Sequence, residues 1–79
     1  MNYIITKGRY YVAREYLGQY MARDYLLPLL SEYGGRVTAS NALVFDREAD
    51  AQSYLVRNML NNDYTVTKYN IRCNCVSAE

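Results

Sequence analysis

The chain has no histidine and no tryptophan, a single proline, four glycines and two cysteines among its 79 residues. Each shortage removes a class of function. Without histidine, Ser31, Ser40, Ser53, Cys73 or Cys75 lacks the usual base that would activate it as a nucleophile near neutral pH. Two cysteines and no histidine cannot supply the four ligands of a structural zinc site within one chain, so no metal and no cofactor is expected. The glycines do not form a phosphate cradle: Gly34-Gly35 stands alone, followed by Arg36, and reads as a helix stop. No apolar run approaches the roughly 18 residues that span a bilayer, and the run Tyr25 to Leu30 is broken by Pro28. The N-terminal residues have no basic region followed by an apolar segment and a small-residue cleavage site, so no signal peptide is expected. A cytoplasmic protein follows, with Cys73 and Cys75 reduced. The net charge of +1 is too small to hold a long phosphate backbone by bulk attraction.

Against these absences stand ten tyrosines. Tyrosine and arginine each join a planar body to a polar tip, and both are enriched among the residues that anchor protein interfaces. The composition therefore points to a binding protein and not to an enzyme.

A chain of this length is expected to be one domain, residues 1–79, with a modest core. Tyr3–Thr6 and Arg9–Tyr16 alternate β-branched and aromatic residues around Lys7-Gly8, the pattern of a β-hairpin. In its second strand Tyr10, Val12, Arg14 and Tyr16 share a face. From Gly18 to Gly35 the apolar residues Tyr20, Met21, Tyr25, Leu26, Leu29, Leu30 and Tyr33 recur three or four apart. That spacing predicts a helix, kinked near Asp24 by Pro28 or beginning there. Arg36–Phe45 reads as a strand with a turn at Ser40-Asn41. Asp46 is the expected N-cap of a helix from Arg47 to Leu60, with Glu48 and Asp50 in the first turn. Ala51, Tyr54, Leu55, Asn58 and Met59 share one face of that helix, and Asn61-Asn62-Asp63 ends it. Tyr64–Arg72 gives a last strand, and residues 76–79 are expected to fray. The expected fold is α+β in the order β-β-α-β-α-β, a four-stranded largely antiparallel sheet with one or two helices on one face.

Several constellations have ordinary explanations. Cys73-Asn74-Cys75 could clamp an ion only as part of a dimer, and a disulfide at this spacing would be strained, so free thiols are the simpler reading. Asp46, Glu48 and Asp50 are accounted for by a helix start. Tyr10, Arg14, Tyr16, Tyr20, Arg23 and Tyr25 form the candidate partner-binding set, because they concentrate aromatic anchors and guanidinium donors in the hairpin and the segment after it. The same surface could stack bases and neutralise phosphates, making a nucleic-acid-binding regulator the alternative function.

Ala42-Leu43-Val44-Phe45-Asp46, followed by Ala49, Ala51 and Tyr54-Leu55 and preceded by the N-terminal hairpin, resembles a pattern in small bacteriophage-encoded proteins. There a strand ending in a hydrophobic-Phe-Asp step enters a helix with alanines on its buried face. The resemblance covers about half the chain, and the segment between Gly18 and Gly35 departs from its shortest versions. It implies a phage or mobile-element origin and no particular activity. Compact single-domain phage proteins of this size that lack catalytic groups and carry an adhesive surface resemble inhibitors of host machinery such as the anti-CRISPR proteins, so by that analogy the expected function is to occupy a protein surface on a bacterial host complex. The implied partner is a host protein or ribonucleoprotein, the implied location is the host cytoplasm, and no membrane is involved. Exposed tyrosines and an edge strand also make a homodimer an expectation.

Overall fold

The computed structural model describes residues 1–31 and 35–76. Their elements run β1 (Asn2–Lys7), β2 (Tyr10–Tyr16), β3 (Ala22–Pro28), β4 (Val44–Phe45), α1 (Glu48–Arg57), β5 (Tyr64–Asn70) and β6 (Cys75–Val76). The strands form one six-stranded antiparallel sheet in the order β3-β2-β1-β5-β6, with β4 also paired to β1. The expected α+β class holds; among the described residues there are six strands where about four were expected, and one helix where the order β-β-α-β-α-β expected two.

The first hairpin forms one residue later than the sequence suggests. Thr6 pairs with Tyr11 and Lys7 with Tyr10, so the two loop residues are Gly8 and Arg9. Gly8 has φ +61°, a conformation that glycine takes at the first loop position of a tight hairpin without steric cost. Beyond this tip β1 and β2 separate, and residues 41–45 enter between them. Leu43 N donates to Val12 O at 3.0 Å and Arg14 N to Asn41 O at 2.9 Å, while Val44 and Phe45 pair with Ile4 and Tyr3. The other edge of β1 pairs with β5 along its whole length.

This arrangement makes β1 the centre of the sheet, and it explains why Ile4 and Ile5 are both fully buried although they face opposite ways. Ile5 packs with Val12, Ala51 and Tyr54 under α1. Ile4 packs with Tyr11, Ala13, Val37, Tyr69 and Val76 under the segment that follows Gly35 and under β6. Each face of the sheet therefore has its own apolar layer.

The expected helix between Gly18 and Gly35 is instead β3, antiparallel to β2 from Tyr10↔Pro28 to Tyr16↔Ala22. Tyr25, Leu27 and Leu29 join one layer and Leu26 the other. A strand covered on both faces loses its apolar–polar alternation, and its clustered apolar residues then imitate helical spacing. Pro28 suits an edge strand, where a missing N–H costs no ladder bond. Gly34 and Tyr33 lie outside the described residues. Gly35 ends no helix: a Cβ there would meet Val76 Cγ2 at 2.9 Å, so glycine is required by the close approach of the two segments.

Residues 36–43 form isolated bridges and no continuous strand; of the expected Arg36–Phe45 strand only Val44–Phe45 is one. Arg47 occupies the N-cap, with φ −132°, ψ 144° and no side-chain cap bond, so Asp46 does not cap α1. Glu48 and Asp50 do occupy the first turn, where carboxylates favour the helix dipole. The helix ends at Arg57, before Asn61-Asn62-Asp63. Met59 takes φ +55°, and Met59 N and Leu60 N donate to Val56 O and Leu55 O, both at 3.1 Å, the paired bonds of a Schellman stop. Of the residues expected on its buried face, Ala51 and Tyr54 are buried whereas Met59 is 85% exposed. β5 stops at Asn70 because residues 71–74 turn, with Asn74 at φ +56°, and lead into β6. Ser77–Glu79 lie outside the described residues, and Val76, expected to fray with them, is buried. No helix among the described residues is long and apolar enough to cross a membrane.

Candidate protein-binding hairpin

The β2–β3 hairpin carries all six candidate contact residues, and the pairing register decides which face each occupies. Arg14 stands opposite Asp24, Glu15 opposite Arg23, and Tyr16 opposite Ala22. The charges mirror one another about Gln19, so each arginine meets a carboxylate across the ladder.

Arg14 grips Asp24 side-on, Nε to Oδ1 at 2.8 Å and Nη2 to Oδ2 at 3.1 Å. The Tyr54 hydroxyl, reaching over from α1, donates to the same Oδ2 at 2.5 Å. One carboxylate thus ties helix to hairpin. The Arg14 guanidinium, bonded to Asp24, holds that carboxyl below its ordinary range, and the carboxylate in turn raises the guanidinium's already high pKa. Burial, and then the bond to Asp24, pushes the Tyr54 phenol up, so it remains a neutral donor. A cavity of about 470 Å³ lies beside this network, bounded by Val12, Ala22, Asn58 and Tyr64.

On the opposite face Arg23 pairs with Glu15, and its guanidinium carbon lies 5.6 Å from the Tyr25 ring centroid, within cation–π range. The Tyr25 hydroxyl accepts a bond from Asn41 Nδ2 at 2.7 Å, and its ring packs against the layer around Ile4. Tyr10 is half exposed at the far end of β2, opposite Pro28. The six residues therefore do not make one patch. Tyr10, Arg14 and Tyr16 share the helix side, Arg23 and Tyr25 the other, and Tyr20 stands at the tip.

At that tip Leu17 N donates to Met21 O at 2.9 Å, closing a loop in which Gly18 has φ +150°. Tyr16 is 74% exposed, Leu17 52%, Tyr20 89% and Met21 66%. Four large apolar side chains thus project from the end of a paired ladder. Leu17 and Met21 join the candidate surface only through the structure, since Met21 falls within the expected helix and Leu17 between that helix and the expected hairpin. Asp24 and Tyr54 were absent because carboxylate and phenol signal nothing until a partner faces them. The mirrored charges about Gln19 were the available sign of a hairpin.

A larger cleft of about 690 Å³ lies at the other edge of the sheet, beside β5 and β6, between Met1, Lys68, Ile71, Arg72 and the Cys73–Cys75 turn. Cys73 and Cys75 form a disulfide, not the free thiols expected. The turn at residues 71–74 brings their Cα atoms to 5.2 Å, a separation that a disulfide accepts. The pair therefore gives no support to a reducing compartment. Among the described residues no group of three or more Cys, Asp or Glu side chains is placed to hold a metal ion.

Comparison with known proteins found no matching family model, no matching curated protein and no matching solved structure.

Proposed function

We propose that this chain is a non-catalytic phage or mobile-element protein that binds a bacterial host complex in the host cytoplasm and inhibits it by occupying its surface. The observation that carries the binding half is the hairpin tip, where Tyr16, Leu17, Tyr20 and Met21 are exposed together. Aromatic and Met side chains are enriched at interface cores, and a short loop held by a paired ladder loses little freedom when it docks. Support for the target, a nucleic-acid-targeting defence system of the kind anti-CRISPR proteins block, is an analogy from the small size of the chain, its lack of histidine and its exposed apolar tip, while the resemblance of residues 42–55 to small phage proteins supports the phage origin alone.

Within the contact set Tyr16 and Tyr20 are the anchors, with Tyr10, Arg14, Arg23 and Tyr25 flanking them. Arg14 and Arg23 already hold carboxylates, which favours a protein target over the alternative nucleic-acid regulator, since phosphate binding needs uncommitted cations.

The test is to express the chain in a bacterium whose defence system destroys an incoming plasmid. Plasmid establishment should rise with the wild-type chain and fall back with Tyr16→Ala/Tyr20→Ala. No protection in hosts carrying any of several defence systems would remove the inhibitory reading. Affinity for DNA or RNA that drops steeply with salt, together with no bound host protein, would install the regulator reading.

A further inference from the structure

From the open edge of β3 we infer that two copies of this chain pair antiparallel through that strand, about a two-fold axis at Tyr25. The inference is carried by the backbone edge of β3, which shares Arg23 and Tyr25 with the contact set, and it does not rest on the proposed target.

β3 ends the sheet, with β2 on one side only. Leu17 N bonds Met21 O, and Leu29 N bonds Arg9 O at 2.8 Å. These two bonds bracket the β2–β3 ladder and set its phase. Antiparallel strands alternate between positions that bond inward and positions that bond outward. Met21, Arg23, Tyr25, Leu27 and Leu29 therefore turn their peptide groups toward β2, and Ala22, Asp24, Leu26 and Pro28 turn theirs away. The phase agrees with the next outward residue, Leu30, which exchanges backbone bonds of 3.1 and 2.8 Å with Arg36. Among the described residues no backbone bond reaches the outward side of Ala22, Asp24 or Leu26. Three donors and four acceptors remain open there, because Pro28 presents a carbonyl and no N–H.

An open edge of this kind pairs with another strand unless something blunts it. A second copy fits it in one register. With the axis at Tyr25, Asp24 exchanges both bonds with the partner's Leu26, and Ala22 N–H reaches the carbonyl of the partner's Pro28. Every open donor is then used, and the position lacking an N–H is asked only for its carbonyl. Across the junction Tyr25 faces the partner's Tyr25, Arg23 faces the partner's Leu27, and no like charges are opposed. An axis at Arg23 or at Asp24 sets each of those charges against its own copy. An axis at Leu26 requires the partner's Leu30, which Arg36 already holds. The two hairpin tips would then point in opposite directions, roughly 40 Å apart for about twelve intervening strand positions, and the same register sets Met21 and Tyr20 of each tip beside Leu29 and Leu30 of the other copy, where Arg36 lies.

Sedimentation velocity of the full chain should give about twice its 9.2 kDa mass. Ala22→Pro removes one outward donor from each copy at an exposed position and leaves the β2 ladder intact. It should weaken the dimer roughly tenfold or more with an unchanged circular dichroism spectrum. On a Cys73→Ser/Cys75→Ser background, Tyr25→Cys should form an interchain disulfide under mild oxidation, whereas Arg23→Cys, its copies roughly 14 Å apart in this register, should not. A chain that stays monomeric up to about 0.1 mM overturns the proposal, as it would if the edge serves a foreign strand. A dimer cross-linked through residue 23 in place of 25 overturns it equally.

Discussion

The base and the tip of the β2–β3 hairpin are built from the same residue types and do opposite things. At the base Tyr11 is fully buried, its hydroxyl accepting a bond from Ala39 N at 3.1 Å, and Arg14, Asp24 and Tyr54 satisfy one another. At the tip Tyr16 and Tyr20 are among the most exposed side chains of the molecule. What separates a structural tyrosine from a contact tyrosine here is whether a second layer covers it. Segment 35–42 and α1 cover the two faces of the base, and neither layer includes the residues of the tip.

The comparison breaks most sharply if the base is hollowed. Tyr11→Ala deletes a fully buried ring and orphans the Ala39 N–H. It should cost about 3–5 kcal/mol in urea unfolding, enough to leave a small domain largely unfolded. An effect under about 1 kcal/mol would mean the base is not the structural half.

Next in size is Asp24→Ala, which leaves Arg14 and Tyr54 facing each other without their shared acceptor. Because Asp24 retains 24% side-chain exposure, the loss should be about 2 kcal/mol, below that of a fully buried pair. Arg14→Ala carries the same penalty, so a loss of partner binding in that variant would not by itself assign Arg14 to the interface.

The network also carries a pH signature. Asp24 has a depressed pKa in the fold, chiefly through Arg14. Its stabilisation is therefore present above the ordinary aspartate value of about 3.9 and is lost as pH falls through the lower folded value. Stability of the wild type should decline below about pH 5, and Asp24→Asn should flatten that decline. Parallel curves for the two proteins would show that other carboxylates control acid unfolding.

The smallest stability change belongs to the tip. Tyr16→Ala/Tyr20→Ala should move stability by about 0.5 kcal/mol or less while weakening partner binding by about tenfold or more. Equal effects on folding and binding would erase the distinction between the two halves.

How much of this was legible follows from the same contrast. The N-terminal hairpin, helix α1 and strand β5 announce themselves through local patterning, and the structure forms them within a few residues of their expected bounds. β3 does not, because Tyr25, Leu26 and Leu27 answer to two different layers and the strand's alternation is erased. Val44–Phe45 lies within the expected Arg36–Phe45 strand, but the wedging of residues 41–45 between β1 and β2 has no local signal, since pairing at a distance of about thirty to forty residues is settled by which edge is open. Tyr20 and Tyr25 look alike as sequence, and only the covering segment assigns one to solvent and the other to a layer beneath it.

By itself the chain of residues determined the α+β class, the helix, the dominance of tyrosine and the lack of histidine, all of which are properties of composition or of neighbours a few positions apart. Tertiary structure alone decided that residues 22–28 form an edge strand, that Arg14 is bound to Asp24, and that four apolar side chains stand together at a tip. Those outcomes depend on which surfaces meet across the fold, and burial and pairing between distant segments have no local code.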